Sequence, residues 1–222
     1  MKPLALALPL AAVLLGAREA RADASPERGV EFGLRGGYGF AQGKADPANR
    51  LYNDIASYKF AVMLDAGYRL SPALAVGALF ELATVHPSES VLDSCHEHGI
   101  SCGANNLRAG VQAQVHLPLQ VKVLTSTFVP WFGAGAGYER MGLQIGNLEV
   151  SYRGPFVALQ AGVDALSGSG FRAGPVVELL AGQYTAAQGN ASPQPIDERT
   201  VHAWLTVGLR AAFTSGTDPG SP

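Results

Sequence analysis

Beyond residue 22 the sequence lacks any apolar run long enough to form a membrane-spanning helix. The longest uncharged stretch, Val123 to Tyr138, is interrupted by Pro130 and by three glycines, whereas a spanning helix needs about 20 consecutive apolar residues. A chain without such a helix can cross a bilayer only as a closed β-barrel, because every backbone polar group must be paired there. Membrane insertion of this chain would therefore have to use strands.

Charged residues are scarce, at 15% of the chain, and basic ones are in the minority. Beyond residue 22 there are 13 basic and 17 acidic side chains, which gives a net charge of about −4. Proteins that bind nucleic acid are usually basic, so we expect no nucleic-acid partner. The glycine-rich run 133–137 lacks the Lys-Ser/Thr and the strand-to-helix context of a phosphate-binding loop. We expect no cofactor.

Residues 1–22 have the organisation of a secretory signal peptide. Lys2 precedes an apolar run over 3–17, which is too short to span a membrane, and Ala20-Arg21-Ala22 forms an A-x-A cleavage site. No cysteine lies near this site to carry a lipid anchor. We expect export and cleavage after Ala22, which leaves a barrel over 23–213 and a short tail over 214–222. An uncleaved N-terminal anchor is the alternative.

Eight segments of the remaining chain alternate between apolar and polar residues with a period of two, which is typical of strands with one apolar face. Each is about long enough to cross a bilayer as a tilted strand, which takes roughly 9–11 residues. The sequence therefore predicts an all-β fold, an eight-stranded antiparallel up-and-down transmembrane β-barrel. Pro175, inside the seventh segment, removes a ladder donor and predicts a bulge. The segments are Val30–Phe40, Tyr58–Leu70, Ala73–Thr84, Asn106–Leu117, Thr127–Glu139, Gly154–Leu166, Phe171–Tyr184 and Thr200–Phe213.

The connections between these segments alternate in length. Outer-membrane barrels show this asymmetry, with short periplasmic turns and long outer loops. An even number of strands places both chain ends on the periplasmic side, so the four long connections are expected at the cell surface, where they could contact extracellular partners. The long connections are 41–57, 85–105, 140–153 and 185–199, and the short ones are 71–72, 118–126 and 167–170.

One face of the predicted strands carries no charge, and its aromatic residues gather near the strand ends. Such aromatic girdles mark the two interfaces of a membrane barrel. A soluble barrel that binds an apolar ligand would turn this face inward, but it would give the aromatic residues no reason to gather at both rims. The girdle residues are Tyr38, Phe40, Tyr58, Phe60, Phe80 and Tyr138 at the loop end, and Tyr68, Phe128, Phe171 and Phe213 at the turn end.

The opposite face carries six acids and six bases among many glycine and alanine residues. Balanced charges suit a narrow lumen, where unpaired charge is costly and pairs persist. We expect a ladder of salt bridges, with Lys59 near the rim, that fills an eight-stranded barrel. The other members of this lumen charge network are Glu31, Arg35, Asp65, Arg69, Glu81, Arg108, Glu139, Asp164, Arg172, Glu178 and Arg210.

Three short stretches resemble a known family. The last segment ends on Phe213 after alternating apolar residues, and so resembles the closing strand of outer-membrane barrels. The turn Tyr68-Arg69-Leu70-Ser71-Pro72 and the strand over 36–40 resemble those of OmpA-like barrel domains. The resemblance implies a small OmpA-like or OmpX-like barrel without a peptidoglycan-binding domain. It further implies an integral location in the bacterial outer membrane, with outer-membrane lipid and lipopolysaccharide as partners.

The two cysteines, Cys95 and Cys102, flank a histidine-rich stretch in the longest loop. A disulfide is the preferred interpretation, because an exported protein meets an oxidising compartment. A metal site built from both cysteines with His96 and His98, and also His86, is the alternative, but its spacing matches no standard zinc pattern. We therefore expect no metal.

His202, near the outer end of the last segment, raises the question of catalysis. Outer-membrane lipid-modifying enzymes place a catalytic His near the outer leaflet, with Ser and an acid, but position 204 here is Trp204. Glu139 and Glu178 could lie at a similar height, yet nothing marks a nucleophile, so we expect no enzyme. The expected role is envelope structure or surface interaction through the four outer loops. The alternatives are a narrow channel for small solutes and a lipid-modifying enzyme.

Overall fold

The computed structural model describes residues 28–43, 52, 55–123, 126–167, 170–189, 194–196 and 200–216. Within these residues, eight long strands pair antiparallel with their neighbours in the chain. The last strand pairs with the first from Gly29↔Gly216 to Gly43↔His202, which closes the barrel. The eight long strands are β1 Gly29–Gly43, β2 Ala56–Arg69, β3 Leu74–Pro87, β4 Cys102–His116, β6 Ser126–Ile145, β7 Leu148–Leu166, β8 Phe171–Gln183 and β11 Val201–Gly216.

A helix and three short strands are added at the two ends of the barrel. They are α1 Glu89–Glu97, β5 Val121–Val123, β9 Ala186–Gln188 and β10 Gln194–Pro195. In the part of the chain that the structure covers, no helix is both long and apolar enough to span a membrane. The prediction of an eight-stranded antiparallel barrel is confirmed. The predicted signal peptide lies outside the described residues.

The structure shows which of the two strand faces points outward. The apolar face lies on the exterior, where Leu209 is 69% exposed and Phe60 is 63% exposed. The charged face lies in the lumen, where Glu81 and Asp164 are fully buried. A continuous apolar exterior of this extent is far larger than the patches that soluble proteins tolerate. This orientation is that of a membrane barrel and the reverse of a soluble one.

The third outer connection is shorter than the sequence suggested. Strands β6 and β7 remain paired up to Ile145↔Leu148, so a two-residue turn replaces most of the long loop predicted over 140–153. Gly146 has a φ of 58°, the positive value that two-residue hairpins require. The strand pattern continues through Leu143 and Val150, and the hairpin therefore rises above the barrel as a rigid element.

Several strands are longer than predicted, and the ladder at Pro175 differs from the expected bulge. Strand β11 runs three residues beyond Phe213 to Gly216, because Thr214 still pairs with Glu31 of β1. Opposite Pro175 the β7–β8 ladder loses two pairs, but the register is the same on both sides of the gap. The proline therefore removes a hydrogen bond, as expected, without the extra residue of a bulge.

The turn after β2 explains part of the motif that resembled OmpA-like barrels. Arg69 Nη1 donates a hydrogen bond of 2.8 Å to the carbonyl of Pro72. The Ser71 hydroxyl accepts from the Leu74 backbone N–H at 3.1 Å. The arginine and the serine thus add side-chain hydrogen bonds to a turn in which the Leu70 N–H also donates to the Leu74 carbonyl at 2.8 Å.

The second outer loop holds helix α1 against the barrel through a disulfide between Cys95 and Cys102. Cys95 is buried, whereas both glutamates at the ends of the helix are exposed. A nine-residue helix has marginal stability on its own in water. Because α1 makes few contacts with the barrel, the disulfide is expected to contribute much of its stability.

Reduction of the Cys95–Cys102 disulfide is expected to expose α1 to the Glu-specific protease, with cleavage after Glu89 and Glu97. We expect cleavage to become at least about tenfold faster, since a disulfide typically contributes roughly 2–4 kcal/mol. Timed digestion of folded protein, with and without reductant, followed by mass spectrometry measures this. Cleavage after Glu149, in the paired β6–β7 hairpin, is the internal control and should not respond to reductant. Equal rates of cleavage after Glu97 with and without reductant would contradict the stabilisation of α1 by the disulfide.

Candidate functional site

The lumen contains three stacked groups of side chains, which we call the floor, the middle layer and the cap, from the turn end to the loop end. In the floor, Glu31 accepts hydrogen bonds from three arginines on three different strands. The distances to its carboxylate are 3.0 Å from Arg69, 2.6 Å from Arg172 and 2.7 Å from Arg210. Arg210 also donates to Asp164 at 3.0 Å. One carboxylate therefore holds together most of the floor.

Aromatic and neutral polar side chains fill the rest of the floor. The Trp131 indole N–H donates to Asp164 at 3.0 Å, and the Arg210 guanidinium lies 4.6 Å from the Trp131 ring. His116 Nε2 lies 3.0 Å from Arg172 Nη1. Because a guanidinium has only donors, this nitrogen must accept, and His116 carries no proton there. Thr214 accepts from Arg172 at 2.9 Å.

The middle layer begins with a two-point ion pair between β1 and β2. Arg35 donates from Nε and from Nη2 to the two oxygens of Asp65, each at 2.7 Å. Gln112 accepts from Arg35 at 2.6 Å and donates to Asp65 at 2.8 Å. Such forked pairs are stronger and geometrically more specific than single contacts.

The remainder of the middle layer is a chain of alternating charges. Lys59 donates to Glu81 at 2.6 Å, and Arg108 bridges Glu81 to Glu178, with 2.7 Å to the latter. Gln160 donates to Glu178 at 3.0 Å. Lys59 was expected near the rim, but the structure places it fully buried because the cap lies above it.

The cap closes the outer end of the lumen. His202 Nε2 lies 2.5 Å from Glu139 Oε1, and both side chains are buried. The Tyr52 and Tyr184 hydroxyls lie 2.9 Å apart, and both donate towards the Met141 sulfur, Tyr52 at 2.7 Å. Tyr52 comes from the first outer loop, so a loop residue seals the barrel.

Ring stacking makes the cap compact. The His202 ring stacks on Tyr184 at 4.2 Å, and the Tyr52 ring meets Trp204 edge-on at 5.4 Å. Lys59 Nζ lies 5.1 Å from the Trp204 ring, which links the cap to the middle layer. Burial raises the pKa of the Tyr52 phenol above its ordinary value, so the hydroxyl stays neutral. The residues around His202 are aromatic, and Glu139 is its charged contact.

Glycines on the lumen face leave room for the side chains of these layers, because they have no side chain of their own. Gly33 lies against the Asp65 carboxylate, and Gly39 lies against the Lys59 stem. Three further pairs of glycines face each other across neighbouring strands, where the two backbones approach closely. These pairs are Gly37↔Gly208, Gly67↔Gly77 and Gly110↔Gly137.

Two small cavities lie among the lumen side chains that the structure describes. One cavity of about 20 Å³ lies between the floor and the middle layer beside Glu31, Asp65 and Gln112. A second, of about 30 Å³, lies beside Arg35 and Glu178. A cavity of roughly 10–15 Å³ holds one water molecule, so each has room for one or two waters.

All twelve charges that the sequence assigned to the lumen are buried there. Sequence reasoning did not single out several neutral residues that hydrogen-bond in the lumen, either to these charges or to one another. Most of them could have been found from their position on the charged face of a strand, whereas Tyr52 lies in a loop without pattern. These residues are Tyr52, Gln112, Gln114, Trp131, Met141, Gln160, Tyr184 and Thr214.

Four of the six girdle residues predicted at the loop end form an aromatic cluster on the exterior, and the other two, Phe80 and Tyr138, are exposed. The Tyr38 and Tyr58 rings stack at 4.9 Å, and His86 stacks on the other side of Tyr58 at 4.6 Å. Phe40 and Phe60 meet Tyr38 at 5.0 and 6.5 Å. At the turn end Tyr68, Phe171 and Phe213 are exposed, and Phe128 is partly exposed.

No family model matches the chain, and no curated protein matches it. Among solved structures, the chain is similar to the outer membrane protein AlkL, studied in lipid bilayers, with a TM-score of 0.52 and 14% identity over 92% of this chain and 99% of that one. Neisserial surface protein A has a TM-score of 0.48 and 12% identity over 85% and 98%. OprG from Pseudomonas aeruginosa has a TM-score of 0.47 and 11% identity over 87% and 100%. At these identities the likeness to AlkL is one of fold.

Proposed function

We propose that the protein is an integral outer-membrane β-barrel with a closed lumen, which serves the cell envelope through its outer surface rather than through transport. The observation that carries this proposal is the buried charge network, which occupies the lumen in three layers. The exterior apolar belt supports membrane insertion, and the fold shared with AlkL supports the outer membrane. Residues 1–22 would be the signal for export.

The structured outer end supports a role in surface contact. The second loop contains the disulfide-linked helix α1, and the β6–β7 hairpin projects above the barrel. Strand β9 pairs with β7 at Ser151–Arg153 and so ties the fourth loop to that hairpin. Rigid outer elements present a fixed surface, which lowers the entropic cost of binding a partner.

The closed lumen predicts that the purified protein conducts poorly in a planar lipid bilayer. Each of the three layers blocks the same path in series, so removal of one layer leaves two. We therefore expect rare, small current steps from the native protein and from Tyr52→Ser, which opens the cap alone. A general porin in the same bilayer is the positive control.

A steady conductance of the native protein would contradict the closed lumen and favour a narrow channel. The same current in Tyr52→Ser but not in the native protein would show that the cap alone is the barrier. Folding of each variant is checked by gel mobility with and without boiling, since a closed membrane barrel resists the detergent until it is heated.

A further inference from the structure

Two arginines lie directly opposite each other on the outer surface of the barrel, above its apolar belt. Arg140 of β6 is the register partner of Arg153 of β7. The Arg140 side chain is 44% exposed, and its neighbour Met141 is buried on the lumen side. Like charges directly opposite each other in an antiparallel pair are destabilising. This position therefore favours an anion that would bind both side chains.

The residues that the structure describes neutralise this pair only in part. Glu149 accepts from Arg140 at 3.1 Å but is 66% exposed, which makes the ion pair weak. Arg153 donates to the neutral side chain of Gln188 at 2.7 Å. The Arg153 Nε is buried, and no residue in the described part of the chain accepts its hydrogen bond. Within the described ranges, the two positive charges thus face one exposed carboxylate.

The depth of the pair is that of lipid headgroups. Tyr138, at 51% exposure, lies two residues below Arg140 on the same face, and Val157, at 60%, lies four residues below Arg153. Two residues of a strand rise about 6–7 Å. The guanidiniums therefore lie just above the aromatic girdle, where the polar headgroups of the outer leaflet begin.

Rigid elements hold both arginines in place. Arg140 and Arg153 belong to strands that stay paired to the hairpin turn. The Thr185 backbone N–H donates to the Arg153 carbonyl at 2.8 Å, and Ala186 of β9 pairs with Arg153. Among the residues that the structure describes, no other Lys or Arg lies on the outer half of the exterior face. Paired strands therefore fix the site, and no further described cation shares this part of the exterior.

We propose that Arg140 and Arg153 form a binding site for a phosphate group of an outer-leaflet glycolipid of the lipid A type. Planar guanidiniums bind phosphate oxygens with two parallel hydrogen bonds each. The acyl chains of such a lipid would lie against the apolar exterior below Tyr138. This assignment rests on the proposed outer-membrane location.

The test measures binding of diphosphoryl lipid A to the purified protein in a non-ionic detergent. Arg140→Gln and Arg153→Gln are each expected to weaken binding by about tenfold or more, because each removes charge-assisted hydrogen bonds. Lys122→Gln, which removes an exposed cation at the turn end, is the matched control and should bind as the native protein does. Glu149→Gln should bind more tightly, because it removes the carboxylate that competes for Arg140.

The outcomes separate the assignment from its alternatives. Equal affinity of the Arg140→Gln/Arg153→Gln double variant and the native protein would overturn the site, as would equal binding of lipid A without phosphates. Competition by inorganic phosphate at matched concentration would point to a free-phosphate site and overturn the lipid assignment. An unheated mobility shift for every variant establishes that the barrel is folded.

Conductance distinguishes failure of this site from failure of the closed lumen. Both arginines lie outside the lumen, so the double variant should keep the low conductance of the native protein. If the double variant binds lipid A as the native protein does and both conduct poorly, only the lipid site is contradicted. If the native protein conducts well but its affinity for lipid A still depends on Arg140 and Arg153, only the closed lumen is contradicted.

Discussion

Glu31→Gln is expected to lower the free energy of unfolding by about 3–5 kcal/mol, the usual cost of removing one partner from a buried ion network. Glutamine keeps the shape of the side chain but removes the charge that Arg69, Arg172 and Arg210 share. Arg210 retains Asp164, but the floor would hold three arginines against one carboxylate. Reversible urea unfolding of the protein in lipid vesicles measures the loss.

Glu149→Gln is the matched control for this experiment. Glu149 also accepts from an arginine, at 3.1 Å, but both side chains are exposed to solvent. An exposed pair typically contributes about 0–1 kcal/mol, so this variant should unfold almost as the native protein does. Similar small losses in Glu31→Gln and Glu149→Gln would mean that the floor is solvated and that the layers do not seal the lumen.

Alternation along the strands was sufficient to predict the barrel and to place the twelve lumen charges on one face, and the aromatic residues at the strand ends indicated that the other face points outward. In a strand the side-chain period is two, so a correct strand assignment fixes the face of each residue at once. Glu81 and Arg108 could therefore be assigned to the lumen without any knowledge of their contacts. The same rule placed Leu209 and Phe60 on the exterior.

The partner of each charge could not be predicted, because alternation gives the face but not the height in the barrel. Height depends on the stagger of strands around the closed sheet, which no single strand encodes. Glu31 and Arg210, for example, are separated by 179 positions and meet only after β1 pairs with β11. The cap adds a second difficulty, since Tyr52 lies outside the strands and alternation says nothing about where its side chain points.

Gly36 and Gly37 lie on opposite faces of β1, so a larger side chain should have different effects at the two positions. Gly36→Val is expected to leave the folded fraction unchanged, because a Cβ there meets nothing within 4 Å and points to the lipid side. Gly37→Val is expected to destabilise the barrel by at least about 1–3 kcal/mol, the usual cost of overpacking a core. A Cβ at Gly37 would lie 2.9 Å from Thr206 Cγ2 and from the Val207 carbonyl oxygen.

A second substitution shows which contact matters at Gly37. Thr206→Ala removes the methyl group but leaves the Val207 carbonyl, so in the Gly37→Val background it should restore only part of the lost stability. The readouts are the folded band on an unheated gel and urea unfolding in lipid vesicles. Equal folding of Gly36→Val and Gly37→Val would mean that β1 and β11 can separate at this height. The close glycine pair Gly37↔Gly208 would then not set the width of the lumen, and the packed layers could not by themselves keep it closed.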